Sequence, residues 1–176
     1  MVFIEPSKIN FDEIALVSFE NIIGVCLPKE YVDFLKKNNG GTPQLNTIEL
    51  PNEEIKSFSI TSFLGLELDD INNLQAQFLT YRQRIQKNYI PIANVEGGNI
   101  VCLNIVNGSI LLWDHETELI NHSTRSYKSF LPIANSFDKF LEMINPYIEE
   151  NFDDYEVEEV WIDPDFLREL ENGENE

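Results

Sequence analysis

Two histidines and two carboxylates fall close together in Trp113-Asp114-His115-Glu116 and His122, the most metal-like grouping in the chain. Zinc sites take three or four ligands from rigid elements, with the histidines on one helix face or on adjacent strands. Here the segment leaves an apolar run and enters a polar one. That pattern fits a strand exit in which Asp114 and His115 bond turn backbone, and no metal site is assigned. Nucleophilic chemistry has no better support. Cys26 and Cys102 sit in the apolar runs GVCLP and IVCLN, without the cationic surroundings that lower a thiol pKa, and read as buried free thiols. No serine occupies a Gly-x-Ser-x-Gly elbow. Gly40-Gly41 and Gly97-Gly98 lack the Lys-Ser/Thr that completes a phosphate loop, so they read as turns. With 31 acids in the chain, coincidental carboxylate pairs are unavoidable and say nothing about hydrolysis. The acids around Asp153 and Asp154 lack the alternating pattern and central glycine of a calcium loop. The expectation is a protein with no catalytic residues, metal or cofactor.

The elements that carry these residues are marked by apolar periodicity. Phe11, Ile14, Val17, Ile22 and Ile23 recur roughly at helical spacing, with Asn10 as N-cap and Gly24 as left-handed terminator. Pro28 suits the first position of a second helix, where its missing N–H costs nothing. Tyr31, Phe34 and Leu35 then face inward, Lys36 and Lys37 complement the helix dipole, and Asn39 or Gly40 takes a positive φ as the chain stops. TIEL and FSITSFLGL read as strands. Asp69 and Asp70 open a polar helix with a buried stripe of Ile71, Leu74, Phe78, Tyr81 and Ile85 and a basic end at Arg82, Arg84 and Lys87. YIPIA, NIVCLNI and SILLW are strands, apolar on both faces and therefore central, with Asn107-Gly108 as a hairpin signal. Ser136 caps a last helix from Phe137 to about Ile144, with Phe137, Phe140, Leu141 and Ile144 inward. The fold class expected is α+β: one mostly antiparallel sheet flanked by about four helices.

At 176 residues and 43% hydrophobic content, the chain has the size and apolar area of one packed domain. Its charge is the outlier. Twelve lysines and arginines against 31 acids give a formal net charge of −19, which repels phosphate backbones and anionic lipid and attracts a basic protein surface. Nucleic acid and membrane are therefore not expected ligands. No basic leader followed by an apolar stretch and no run of about 20 apolar residues is present, so a cytoplasmic protein is expected. Residues 149–166, EENFDDYEVEEVWIDPDF, interleave acids with Phe152, Tyr155, Val157, Val160, Trp161 and Phe166. Such a segment either docks on the domain or offers anchors to a basic partner.

LPKEYVDFLKKNNGG at 27–41, then YIPIANVEGGNIVCLNI, SILLWDHE and a helix opening SFDKFLEMI, resemble in type and order the SUKH superfamily, specifically its Smi/Knr-like branch, over roughly residues 12 to 147. Leu27, Pro28, Tyr31, Phe34, Leu35, Asn39, Gly40 and Gly41 match its first motif. Gly97, Gly98 and Cys102 fall within the second, and Trp113 and Asp114 within the third. The departures are the doubled Asn38-Asn39, Asn99 where the family often carries an acid, and the acidic C-terminal extension. The division implied is a SUKH-like domain over 1–147 and an extension over 148–176. What the resemblance implies is a non-enzymatic protein-binding domain: bacterial members look like immunity proteins of polymorphic or contact-dependent toxin systems, and fungal relatives are regulators of cell-wall assembly. The leading expectation is an immunity protein that neutralises a cognate toxin, a basic nuclease, by acting as a polyanion. The alternative is an intracellular regulatory scaffold without a toxin partner. The expected binding surface combines Glu149, Glu150, Asp153, Asp154, Glu156, Glu158 and Glu159 with the aromatics Tyr155 and Trp161, together with Asp69 and Asp70.

Overall fold

A computed structural model describes residues 3–50, 55–68, 71–116 and 129–145. In chain order these form β1 (Ile4–Glu5), α1 (Glu13–Ile23), α2 (Lys29–Asn38), β2 (Thr42–Pro43), β3 (Thr47–Glu49), β4 (Ser57–Phe63), α3 (Leu74–Tyr81), β5 (Tyr89–Val95), β6 (Ile100–Asn104), β7 (Ile110–Trp113), β8 (Phe130–Ala134), α4 (Phe137–Glu142) and β9 (Ile144–Asn145). The main sheet runs in the order β8-β7-β6-β5-β4-β3-β9, every pairing antiparallel, while β1 and β2 make a separate two-stranded ribbon. The architecture is α+β, as the sequence leads one to expect.

The central strands are buried on both faces because alternate residues enter two different cores. Val101 and Leu103, paired with Leu112 and Ile110, face the large core shared with α1, α2 and α4. Ile100 and Cys102, paired with Trp113 and Leu111, face a smaller cluster closed by Ile85, with Tyr81 and Tyr89 against it. The large core is aromatic at its centre, where Phe34, Phe63, Phe137 and Phe140 meet ring to ring and Tyr31 packs edge-on against Phe137 at 5.2 Å. Pairs of this kind add about 1 kcal/mol each beyond their buried area.

The Asn-Gly-Gly after α2 is explained by what it passes. Asn39 takes φ +43° and its N–H closes the helix on Leu35 O at 2.8 Å. Its side chain, 2% exposed, then clamps a second backbone. Nδ2 donates to Leu66 O at 3.0 Å and Ile9 O at 3.1 Å, and Oδ1 accepts from Leu66 N–H at 2.8 Å. Gly40, at φ +89°, lies where a Cβ would come within 2.8 Å of Phe63 O, and a Cβ on Gly41 would run into Glu5 O. Gly65 answers from the other side, since a Cβ there would strike Asn39 O. Phe63 N–H bonds Gly41 O at 2.7 Å, completing a seam between the end of α2 and the end of β4.

Several elements differ from the sequence expectation. Asp12, not Asn10, caps α1: its side chain accepts from Ile14 N–H at 2.9 Å, so Phe11 precedes the helix. The buried face is Leu16 and Phe19, while Ile14, Val17 and Ile22 are exposed. This helix is apolar nearly all round, so spacing alone does not select the face that packs. Asn73 caps α3, which starts four residues after Asp70. Ile71 is exposed outside it, and Ile85, with Arg84 and Lys87, lies past its end. Pro28 is the N-cap of α2 rather than its first helical residue. Helix α4 stops at Glu142 and Ile144 continues as strand. Cys26 is exposed at the α1–α2 connection, whereas Cys102 is fully buried.

Replacing Asn39 by Ala strands the Leu66 N–H and two carbonyls, and urea unfolding is expected to show a loss of about 2–4 kcal/mol. Tyr31 Oη is buried without a hydrogen-bond partner among the described residues. Tyr31→Phe is therefore expected to raise stability by about 1 kcal/mol. Burial also lifts the Tyr31 phenol and Cys102 thiol pKa above their ordinary values. An unfolded chain ionises them near about 10 and 8.5 while the folded chain keeps them neutral. Their contribution is full below those values and is lost as pH climbs from there toward the folded values. Urea midpoints are expected to fall from about pH 8.5 upward, and less steeply in Tyr31→Phe/Cys102→Ala.

Candidate partner-binding surface

All eleven residues expected to bind a partner, Asp69, Asp70, Glu149, Glu150, Asp153, Asp154, Tyr155, Glu156, Glu158, Glu159 and Trp161, lie outside the described residues. Glu67 and Asn73, which flank Asp69 and Asp70 in sequence, line a cleft of about 280 Å³ against Ile14, Ala15 and Ser18 of α1. The sequence itself divides the charge. Residues 146–176 hold thirteen acids against Arg168 alone, whereas the described residues hold thirteen acids against nine lysines and arginines. The described body is thus mildly acidic, and most of the imbalance belongs to the C-terminal zone.

Within that body three of the acids meet at one groove. On α2, Glu30, Asp33 and Lys37 stand at i, i+3 and i+7, one stripe of the helix opposite the buried Tyr31 and Leu35. Asp138 in the first turn of α4 approaches from across the groove. Together with Asn38 they rim a cavity of about 320 Å³ whose apolar lining comes from Phe3, Ile4, Phe34 and Leu141. Glu30 fixes the spacing: its Oε2 accepts from Phe137 N–H at 3.1 Å and Asp138 N–H at 3.3 Å. Ser136 Oγ, at the same helix start, accepts from Lys139 N–H at 3.2 Å. Lys29 and Lys139 beside the groove both have ammonium pKa values above the ordinary one. The first is held there by its hydrogen bond to Asp33 and the second by its bond to Glu142, with Asp138 adding to each. None of these three acids is singled out by the sequence, and no pattern in it signals that Asp138, more than a hundred residues on, joins Glu30 and Asp33.

The strand exit at Trp113-Asp114-His115-Glu116 behaves as its composition suggests. Asp114 Oδ1 accepts from Glu116 N–H at 3.0 Å in a local turn. His115 differs in part: its N–H, at 3.2 Å, and its ring Nδ1, at 3.0 Å, both bond Asn99 Oδ1, and the ring packs on Gly98. A glycine at φ +88° is needed there, because a Cβ would lie 3.1 Å from the imidazole. Trp113 is buried between Tyr81 and the Arg84 guanidinium, which sits 4.6 Å from its ring centre. Among the described residues no three potential ligands converge in a metal-holding group, and no helix is long and apolar enough to cross a membrane.

Fold and surface define the class: an α+β domain built on one large antiparallel sheet and a two-stranded ribbon, with an aromatic core and an acid-rimmed groove between two of its helices. Residues 10–143 match the SMI1 / KNR4 family (SUKH-1), and the chain belongs to that family. It is also similar to the SPbeta prophage-derived uncharacterized protein YokK of Bacillus subtilis (strain 168), with 36% identity over 177 residues that cover 91% of this chain and 88% of the relative. The family includes immunity proteins and is not known for enzymatic activity.

The two thiols supply a direct check on burial. Iodoacetamide applied to the native protein is expected to modify Cys26 alone, as read by peptide mass, and Cys102 only after denaturation, since burial both shields that thiol and keeps it protonated.

Proposed function

We propose that this chain is a cytoplasmic immunity protein that binds a cognate bacterial toxin and blocks it stoichiometrically. The observation that carries the reading is the formal net charge of −19 on a chain of this family. Nuclease toxins bind phosphates and so present basic clefts, which a polyanionic protein can fill in place of nucleic acid. The toxin inferred is therefore a basic nuclease domain. The prophage origin in the name of the Bacillus relative fits a bacterial setting.

The division of charge gives the binding two components. The C-terminal zone, with Glu149, Glu150, Asp153, Asp154, Glu156, Glu158 and Glu159, attracts the toxin over a distance set by the ionic strength, about 10 Å at 0.1 M salt. Tyr155 and Trp161 within it supply apolar anchors of the type that dominates interface energetics. Asp69 and Asp70 extend the acidic surface. Such steering acts chiefly on the association rate.

The decisive experiment co-expresses this chain with toxin-domain genes found beside its own gene, scoring survival and co-purification. Protection with a stable complex is expected; failure to protect against any neighbouring toxin rejects the immunity role and leaves the regulatory scaffold, whereas turnover of a metabolite by the purified chain rejects both. With a toxin in hand, reversing the seven C-terminal acids to lysine is expected to slow association at low salt by about tenfold or more and to flatten its salt dependence. An unchanged rate removes that zone from the interface.

A further inference from the structure

The groove between α2 and α4 joins two chemistries that a single kind of side chain satisfies. Its floor is apolar, and three carboxylates on its rim face one ammonium, Lys37. An occupant needs a hydrocarbon stem to cover the floor and a cationic head to reach the rim, which describes lysine and arginine. Arginine fits better. Its planar fork engages carboxylates at two points, and it stacks on aromatic faces, where lysine presents a strongly hydrated point charge. Phe3, 61% exposed at the mouth of the cavity, offers such a face. A volume of about 320 Å³ suits one long side chain and its neighbour.

Charge also decides where the arginine comes from. Residues 146–176 of this chain, with thirteen acids and one arginine, are repelled by the rim. A second copy carries the same −19. A basic protein has the complementary sign. One wall of the groove is set in advance: Glu30 is locked in place by two backbone N–H groups of α4, so that carboxylate needs no rearrangement. Among the described residues Asp33 is tied only to exposed Lys29, a pairing weakly held in water and easily exchanged for a better donor.

We propose that the α2–α4 groove is a pocket for an arginine side chain of the partner protein, a fixed anchor distinct from the C-terminal acids that draw the partner in. It rests on the partner-binding reading above and specifies the contact that reading leaves open. Long-range attraction between charged surfaces does not set a docking pose, whereas a cation seated between Asp33 and Asp138 over an apolar floor does.

The test titrates the isotopically labelled 176-residue chain with the blocked tripeptide acetyl-Leu-Arg-Leu-amide, followed by amide chemical shifts, with the citrulline analogue as an uncharged isostere. Shifts are expected to cluster at residues 30–38 and 138–141, with citrulline binding about tenfold more weakly and Asp33→Asn/Asp138→Asn weakening the arginine peptide to a similar degree. Melting curves show whether the double variant is folded. If it is not, Asp33→Asn alone, on the exposed face of α2, replaces it. Shifts confined elsewhere, equal binding of citrulline, or indifference to these substitutions overturns the proposal. The partner arm separates the two levels. A toxin that binds the Asp33→Asn/Asp138→Asn variant as tightly as the parent sinks the arginine pocket and leaves immunity standing. A peptide that seats in the groove while no toxin is neutralised does the reverse.

Discussion

Two stretches of backbone pass each other at contact distance where residues 39–41 cross residues 63–66, and much of the architecture is arranged around that crossing. Side chains have no room between them: Gly40 and Gly65 are each placed where a Cβ would meet the other stretch's main chain, while a Cβ on Gly41 would meet Glu5 O of β1. The side chain that is present, Asn39, contributes hydrogen bonds rather than bulk, meeting the Leu66 N–H and carbonyl as a strand neighbour would. Buried polar backbone with no water nearby must be satisfied internally. The amide of Asn39 achieves this at the point where α2 stops and the sheet begins. Through the same seam β4 receives the chain that continues to the central strands, and the Phe34–Phe63 ring contact at 5.0 Å sits just beneath it.

This also accounts for what could be read in advance. The stop after α2 was legible because left-handed backbone restricts residue type sharply, so Asn-Gly-Gly carries strong information. The inward set Tyr31, Phe34 and Leu35 was legible because polar residues fill the rest of α2. The hairpin at Asn107-Gly108 was legible for the same kind of reason, although the connection is wider than two residues: Asn104 Oδ1 accepts from both Val106 and Asn107 N–H groups, and the strands resume only at Ile110. Helix α1 was misread because nearly every side of it is apolar. Periodicity identifies a helix from contrast, and Ile14 and Leu16 offer none. Cys26 was misplaced by the same logic, its apolar neighbours in sequence being a different set from its neighbours in space.

Of the binding surface, the sequence displays quantity and the fold supplies position. The excess of acids and its concentration beyond residue 146 are matters of composition. The groove is not: Phe3 and Ile4, Glu30 and Asp33, and Asp138 and Leu141 come from three separated segments. Their meeting is a result of α4 packing on α2 through Phe137 and Tyr31, a contact between side chains that sequence spacing does not encode. Asn99 is a smaller case. A neutral amide beside His115 accepts hydrogen bonds from backbone and ring without adding charge, so the corner keeps its shape independently of any ion pair.

The carboxylate of Glu30 spans 107 positions of chain to reach the start of α4. A six-residue helix has almost no tendency to persist in isolation, because nucleation is unfavourable and too few turns follow it. Its first turn forms against a cap supplied by α2, and the strand after it, β9, completes the far border of the sheet beside β3. The order of assembly follows. During synthesis α2 emerges well before α4, and the groove has no second wall until residues 137–142 have left the exit tunnel and folded back. The cleft is therefore absent from any fragment that stops short of α4.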